Sequence, residues 1–342
     1  MMTQPWGLTN PDPPLPLLIT GGAGVAGYNA LHYFRGKFQD QVVGIHKAIL
    51  HRRSEPGIVA CNAEDQSALA ELFRRHRFRS VLNCAGNCAL KACELDRELA
   101  WLTNVTGVEN ILAQVRQYDA RLVHLSCDLV FSGDGSGLYT EDMPTDPVTV
   151  YGETMVQAEN RVLKQCPEAC ILRISLPMGI SPGGHAGAID WIAHRFRHGR
   201  VATLYFDEIR TPTYCDCLSM LCEAILATDT AGLFHAGGPR QLSLFEIAQI
   251  INRIGGYDPD LLDGIPRIQA GPTPPRAGNV TMVSERLIQK LGCNPFDPWP
   301  LDDAMVPTDR LWHHNRPASE GRGEQVLHQL LAINPRRRTE SR

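Results

Sequence analysis

Residues 15–38 read LPLLITGGAGVAGYNALHYFRGKF. An apolar run, Leu15 to Ile19, breaks into Thr20-Gly21-Gly22-Ala23-Gly24-Val25-Ala26-Gly27, after which Val25, Ala26, Ala30, Leu31 and Phe34 recur at helical spacing. The pattern is strand, glycine turn, helix. Gly21 permits the tight turn, Gly24 lets the backbone approach a pyrophosphate, and Gly27 lets the helix sit close on the strand. Free N–H groups at the helix start attract phosphate, so the stretch predicts a dinucleotide site.

Downstream, short apolar runs alternate with amphipathic ones. Strands are expected at Gln41 to Ile45, Ile58 to Ala60, Ser80 to Gly86, Arg121 to Leu125, Cys170 to Ile174 and Gly232 to His235. Helices are expected at Ser67 to Arg75, about Glu98 to Gln117, and Tyr151 to about Lys164, with a turn at Asn62 to Asp65. This rhythm gives an α/β class with a doubly wound parallel sheet, whose ligands bind at the strand C-termini. Small residues after the fourth strand, Cys84, Ala85 and Gly86, leave room for a cofactor backbone. The end of the second strand decides which cofactor. An acidic residue there would hold an adenosine ribose, but the chain offers His46, Lys47, His51, Arg52 and Arg53, which suit the 2′-phosphate of NADP(H). NAD(H) stays open, because a basic loop can also be simply solvated.

The organisation expected is a loose, proline-rich arm at 1–14 and a dinucleotide-binding domain at 15–175, completed by 202–240. A smaller substrate-binding lobe takes 176–201 and 241–316. A tail at 317–342, ending in Arg336-Arg337-Arg338, reads as a solvated terminus. With 342 residues, 43% of them hydrophobic, the chain can bury a large core. A net charge of −4 gives no electrostatic case for nucleic acid, and no apolar run is long enough for a bilayer. The N-terminal stretch lacks the basic and apolar regions of a signal peptide, so the eleven cysteines are expected to stay reduced in a cytoplasm. Their spacing lacks paired CxxC geometry, and no metal is expected.

Several motifs in order carry a resemblance: TGGAGVAG at 20–27, NCAG at 83–86, Asn104, LSCDLVF at 125–131, YTEDMPTDPVTVYGET at 139–154 and DEIRTPTY at 207–214. Together they resemble an extended short-chain dehydrogenase/reductase. The nearest branches are the dTDP-4-dehydrorhamnose reductases and the methionine adenosyltransferase regulatory beta subunits, over about residues 15–300. The resemblance implies a Rossmann-type fold and reduction of a nucleotide-linked 4-keto-6-deoxy sugar, with a nucleotide sugar as partner and a homodimer possible. It also implies cofactor contacts at Gly21, Ala23, Gly24, Val25, Gly27, Asn62, Ala63, Cys84, Ala85, Gly86, Asn104, Ser126, Tyr151, Leu176 and Pro177. Asn87, Asp128, Leu129, Thr211 and Thr213 would face the substrate. Arg210 and Arg276 would meet its diphosphate or else be surface arginines.

By the same resemblance Tyr151 holds the position of the proton donor. A lysine four residues later normally lies on the same helical face, lowers the tyrosine pKa and holds the nicotinamide ribose. Here that residue is Met155, and a thioether supplies neither charge nor proton. Cys127, a weak donor, replaces the hydroxyl residue that would bind the carbonyl, and Leu129 replaces a tyrosine. Two readings follow: a reductase with altered proton management, or a cofactor-binding regulatory protein in which catalysis is lost or feeble.

Overall fold

The computed structural model describes residues 11–47, 57–184, 186–317 and 320–339. Strand β1 (Leu17–Ile19) leads into α1 (Val25–Phe38), β2 (Val42–His46), β3 (Ile58–Ala60), α2 (Gln66–His76) and β4 (Ser80–Asn83). Two short helices, α3 (Leu90–Leu95) and α4 (Arg97–Trp101), run through a π-helical turn at Leu102–Thr106 into α5 (Gly107–Tyr118). Then come β5 (Arg121–Cys127), α6 (Val150–Gln165), β6 (Cys170–Ile174), β7 (Pro177–Met178), α7 (Ala188–Arg197), β8 (Ala202–Tyr205), β9 (Ile209–Arg210), β10 (Thr213–Tyr214) and α8 (Cys215–Leu226). The chain continues through β11 (Gly232–Ala236), β12 (Leu242–Ser243), α9 (Leu244–Gly255), β13 (Leu262–Ile265), α10 (Glu285–Leu291) and α11 (Glu324–Leu327).

Seven strands form one sheet in the order β11-β6-β5-β4-β1-β2-β3, every pairing parallel. The order reverses at β1, and the crevice opens at that switch point. Period-2 alternation divides the sheet's side chains between two cores. Leu17 and Ile19 of β1, Val123 and Leu125 of β5, and Cys170 and Leu172 of β6 face α1, α8 and the lobe. Leu18, Leu122 and Ile171, each next in sequence to one of these, pack with Leu69, Phe73, Ile111 and Val162 of α2, α5 and α6. Asp65 caps α2 by accepting from the Ala68 N–H at 2.9 Å, and Thr149 caps α6 by accepting from Gly152 at 3.0 Å.

Two boundaries move relative to the sequence reading. Residues 202–240 do not simply complete the large sheet: β8 pairs with β13 and β9 with β12 in small lobe sheets, while α8 and β11 complete the Rossmann-type layers. The tail is not a solvated terminus either. Leu327, Leu331 and Ala332 are buried in the main core, and Arg336 and Arg337 ion-pair with Asp297. No helix among the described residues is long and apolar enough to cross a membrane.

Candidate cofactor and catalytic site

The glycine turn forms the floor of a cavity of about 250 Å³ at the carboxyl ends of β1, β2 and β4. A Cβ on Gly21, whose φ is +69°, would run into the Cys84 carbonyl, and one on Gly27 into the carbonyls of Gly21 and Thr20. Those two glycines serve the fold. At Gly24 the nearest atom to a Cβ is the Gly21 carbonyl oxygen at 3.4 Å, so protein packing alone does not demand glycine there. Gly24 is also the N-cap of α1, with no side-chain cap hydrogen bond and no acidic residue in the first turn. The helix start therefore keeps its positive end for an external anion, which fits a dinucleotide pyrophosphate.

The cavity wall collects Gly21, Ala23, Gly24, His46, Lys47, Ala63, Cys84, Ala85 and Gly86, named from the sequence as cofactor contacts, together with Asn87, named there as facing the substrate. Arg52 lies outside the described residues. Val25, Gly27, Asn62, Asn104, Ser126, Tyr151, Leu176 and Pro177 are not part of the wall. Gly27 and Val25 are taken up by helix packing. Ser126 donates to Glu159 Oε1 at 2.5 Å, and Glu159 in turn holds Arg173 through two contacts of 2.8 and 2.7 Å. Asn104, at the π turn, acts through its side chain. Its Oδ1 accepts from the Asn87 N–H at 2.6 Å and its Nδ2 donates to Thr154 Oγ1 at 2.9 Å, tying the loop after β4 to α6. Asn87 itself lines the glycine-turn cavity.

Sequence reasoning missed Thr20 and Glu64. Thr20 Oγ1 donates to Asn83 Oδ1 at 2.6 Å and accepts from the amides of Cys84 and Ala85, fixing the two strand ends that flank the cavity. Glu64 Oε1 sits 3.3 Å from Lys47 Nζ, which also donates to Thr103 Oγ1 at 3.1 Å. Lys47 thus lines the cavity with part of its charge already matched. Glu64's place in the expected Asn62–Asp65 turn was the available signal.

Tyr151 opens α6 beside the end of β5. Gly152 makes this approach possible, since a Cβ there would strike the Leu129 carbonyl. Tyr151 is 9% exposed, Met155 3% and Cys127 8%. All three belong to an apolar cluster with Cys93, Ala100, Val130, Phe131, Val150, Ala277, Val280 and Met282. Burial, with a smaller contribution from their mutual interaction, pushes the Tyr151 phenol well above its ordinary value, and burial pushes the Cys127 thiol up as well. Cys127 is thus a protonated thiol and no nucleophile at neutral pH.

Beyond Tyr151 lies a second polar cluster. Asp128 accepts from Ser175 Oγ at 2.6 Å and sits 3.3 Å from Arg210 Nη1; Ser175 Oγ also accepts from the Thr211 N–H at 3.1 Å. Arg210 and Arg276 flank Glu208 at 3.5 and 3.6 Å, and Arg276 stacks 4.6 Å over the Tyr205 ring. Burial pushes the Glu208 carboxyl up against the opposing pull of these two guanidiniums. Arg210 is accordingly not a surface arginine: it is buried between two carboxylates. Thr211 and Thr213 are buried with hydroxyls that lack a hydrogen-bond partner. Leu129 packs half-buried against the apolar cluster.

The profile of the RmlD substrate binding domain family matches residues 15–302. The chain belongs to that family. A dTDP-4-keto-6-deoxy-D-glucose reductase of Streptomyces niveus is 26% identical over 288 residues, covering 82% of this chain and 93% of the relative. The methionine adenosyltransferase 2 subunit beta of Danio rerio is 23% identical, over 86% of this chain and 90% of its own. A dTDP-4-dehydrorhamnose reductase from Bacillus anthracis, solved in complex with NADP, superposes with a TM-score of 0.71 at 20% identity, covering 83% of this chain and 95% of that one.

Proposed function

We propose that the protein binds NADP(H) in the glycine-turn cavity and a nucleotide sugar beside Tyr151, and that it reduces a sugar ketone slowly. The observation that carries the reading is the cavity itself, where Gly24 and the uncapped start of α1 keep an anion site that the fold does not require. Family membership and the reductase named among the relatives support the substrate class. His46 and Lys47 at the adenosine end support NADP(H) over NAD(H), with Lys47 tempered by Glu64.

A bound nicotinamide would supply the hydride. Tyr151 would give the proton to the carbonyl oxygen, and Cys127 would orient that phenol. Without a cation at residue 155 the phenol keeps a raised pKa and donates poorly, which makes the step slow. A second reading, a binding protein without turnover, draws on the burial of Met155 in an apolar cluster and on the similarity to the beta subunit.

Titration with NADPH and NADH, followed by turnover with dTDP-4-dehydrorhamnose, tests both. NADPH preference with slow turnover supports the proposal. Tight NADPH binding without turnover supports the second reading. Failure to bind either nucleotide overturns both.

A further inference from the structure

The family match ends at residue 302, yet the chain beyond it is built into the core behind the candidate site. Tyr214 is the point of attachment. It is fully buried, and its hydroxyl donates to the Leu330 carbonyl at 2.8 Å while accepting from the Leu301 N–H at 3.1 Å. Trp299 Nε1 donates to the next carbonyl, that of Leu331, at 2.8 Å. Three residues on, Asn334 donates from its backbone N–H to Asp216 Oδ2 and from its Nδ2 to Asp297 Oδ2, each at 2.8 Å. Arg336 Nη1 closes the set on Asp297 Oδ1 at 2.5 Å. Buried Leu327, Leu331 and Ala332 supply the apolar face of the same segment.

Tyr214 ends β10, whose partner is β7, with Thr213 opposite Pro177 and Tyr214 opposite Met178. The Thr213 N–H donates to the Leu176 carbonyl at 3.1 Å, and two residues earlier Thr211 hangs on Ser175 and, through it, on Asp128. One hydroxyl therefore links the C-terminal segment to both loops that would flank a nicotinamide and a sugar.

We propose that the segment from Glu324 to Arg337 is a strap that positions the Leu176–Pro177 and Thr211–Thr213 backbones for ligand binding, with Tyr214 as the positioning residue. The functional half of this inference rests on the proposed cofactor reading, whereas the positioning half does not. A hydrogen bond to a buried carbonyl holds a backbone in register, and its loss leaves that group unsatisfied.

Tyr214→Phe keeps the ring and removes both hydrogen bonds; Asp297→Asn loosens the Asn334 and Arg336 end and serves if Tyr214→Phe does not fold. Hydrogen exchange of the full-length variants should rise about tenfold or more at the Thr213 amide and its neighbours, ahead of the large sheet. NADPH affinity should weaken severalfold, while 2′,5′-ADP, which lacks the nicotinamide half, binds as to the wild type. Unchanged exchange at 211–214 in both variants, with a lowered Tm, would overturn the strap and leave simple packing. Equal weakening of NADPH and 2′,5′-ADP would also overturn it. A wild type that binds neither nucleotide would sink the cofactor reading alone, and the exchange result would still decide the positioning claim.

Discussion

Met155→Lys separates a slow reductase from a protein that has left the chemistry behind. Met155 lies one helical turn beyond Tyr151, 3% exposed and packed with Cys127, Val130, Ala277 and Met282. An ammonium placed there loses its water, and an unpaired buried charge costs several kcal/mol. A chain of 342 residues unfolds with an entropy of about 0.7 kcal/mol/K, so a cost of about 3 kcal/mol lowers Tm by about 4 °C. The gain runs the other way. A cation within about 4–6 Å of the phenol lowers its pKa by about 1–3 units, and one unit is about 1.4 kcal/mol.

Where proton donation limits turnover, that shift raises the rate by up to about tenfold for each unit. The expected outcome is a less stable protein that binds NADPH more tightly and turns over dTDP-4-dehydrorhamnose faster, with stability partly restored by saturating NADPH. Thermal unfolding with and without NADPH, NADPH titration and steady-state kinetics read the three quantities. A lowered Tm with no gain in affinity or rate would refute the reasoning and favour the binding protein.

Three more outcomes follow from particular contacts. Lys47→Ala should weaken NADPH about tenfold or more while leaving NADH nearly unchanged, and Glu64→Gln should do the reverse by freeing the Lys47 charge; equal effects on the two cofactors in titration would remove Lys47 from the 2′-phosphate argument. Glu159→Gln leaves Arg173 without its bidentate partner in a buried site, so unfolding should show a loss of about 3–5 kcal/mol, and a loss below about 1 kcal/mol would mean that the pair is not holding α6 to β6. Burial pushes His124 down to about 4 and His235 down to about 3, whereas an unfolded histidine titrates near about 6.5. The unfolded chain therefore takes up protons first, so stability is complete above about pH 6.5 and is lost as pH falls toward 4. A Tm that stays flat across that window would show that these histidines titrate normally.

What the sequence disclosed and what it hid divide along a physical line. The glycine turn is local: strand, φ-positive glycine, close helix and open Gly24 occupy 11 consecutive positions from Leu17 to Gly27, so residue types and spacing suffice to read it. The strand order follows almost as directly, because each crossover in a parallel sheet is right-handed and each strand announces itself by its apolar run. The surroundings of Met155 are different in kind. Its methionine was visible, but its burial is made by Ala277, Val280 and Met282, more than 100 residues further on, delivered by a lobe whose small sheets pair β8 with β13 and β9 with β12. Arg210 could not be told from a surface arginine for the same reason, since its two carboxylates come from the end of β5 and from the residue before β9. The tail's arginines looked solvated because Asp297, which receives them, gives no sign in the sequence of facing inward. An anion site of this kind can thus outlast changes elsewhere, since one contiguous turn builds it. The surroundings of Tyr151 and Met155 have no such local origin: α6 supplies the two side chains, and Ala277, Val280 and Met282 close over them from far along the chain.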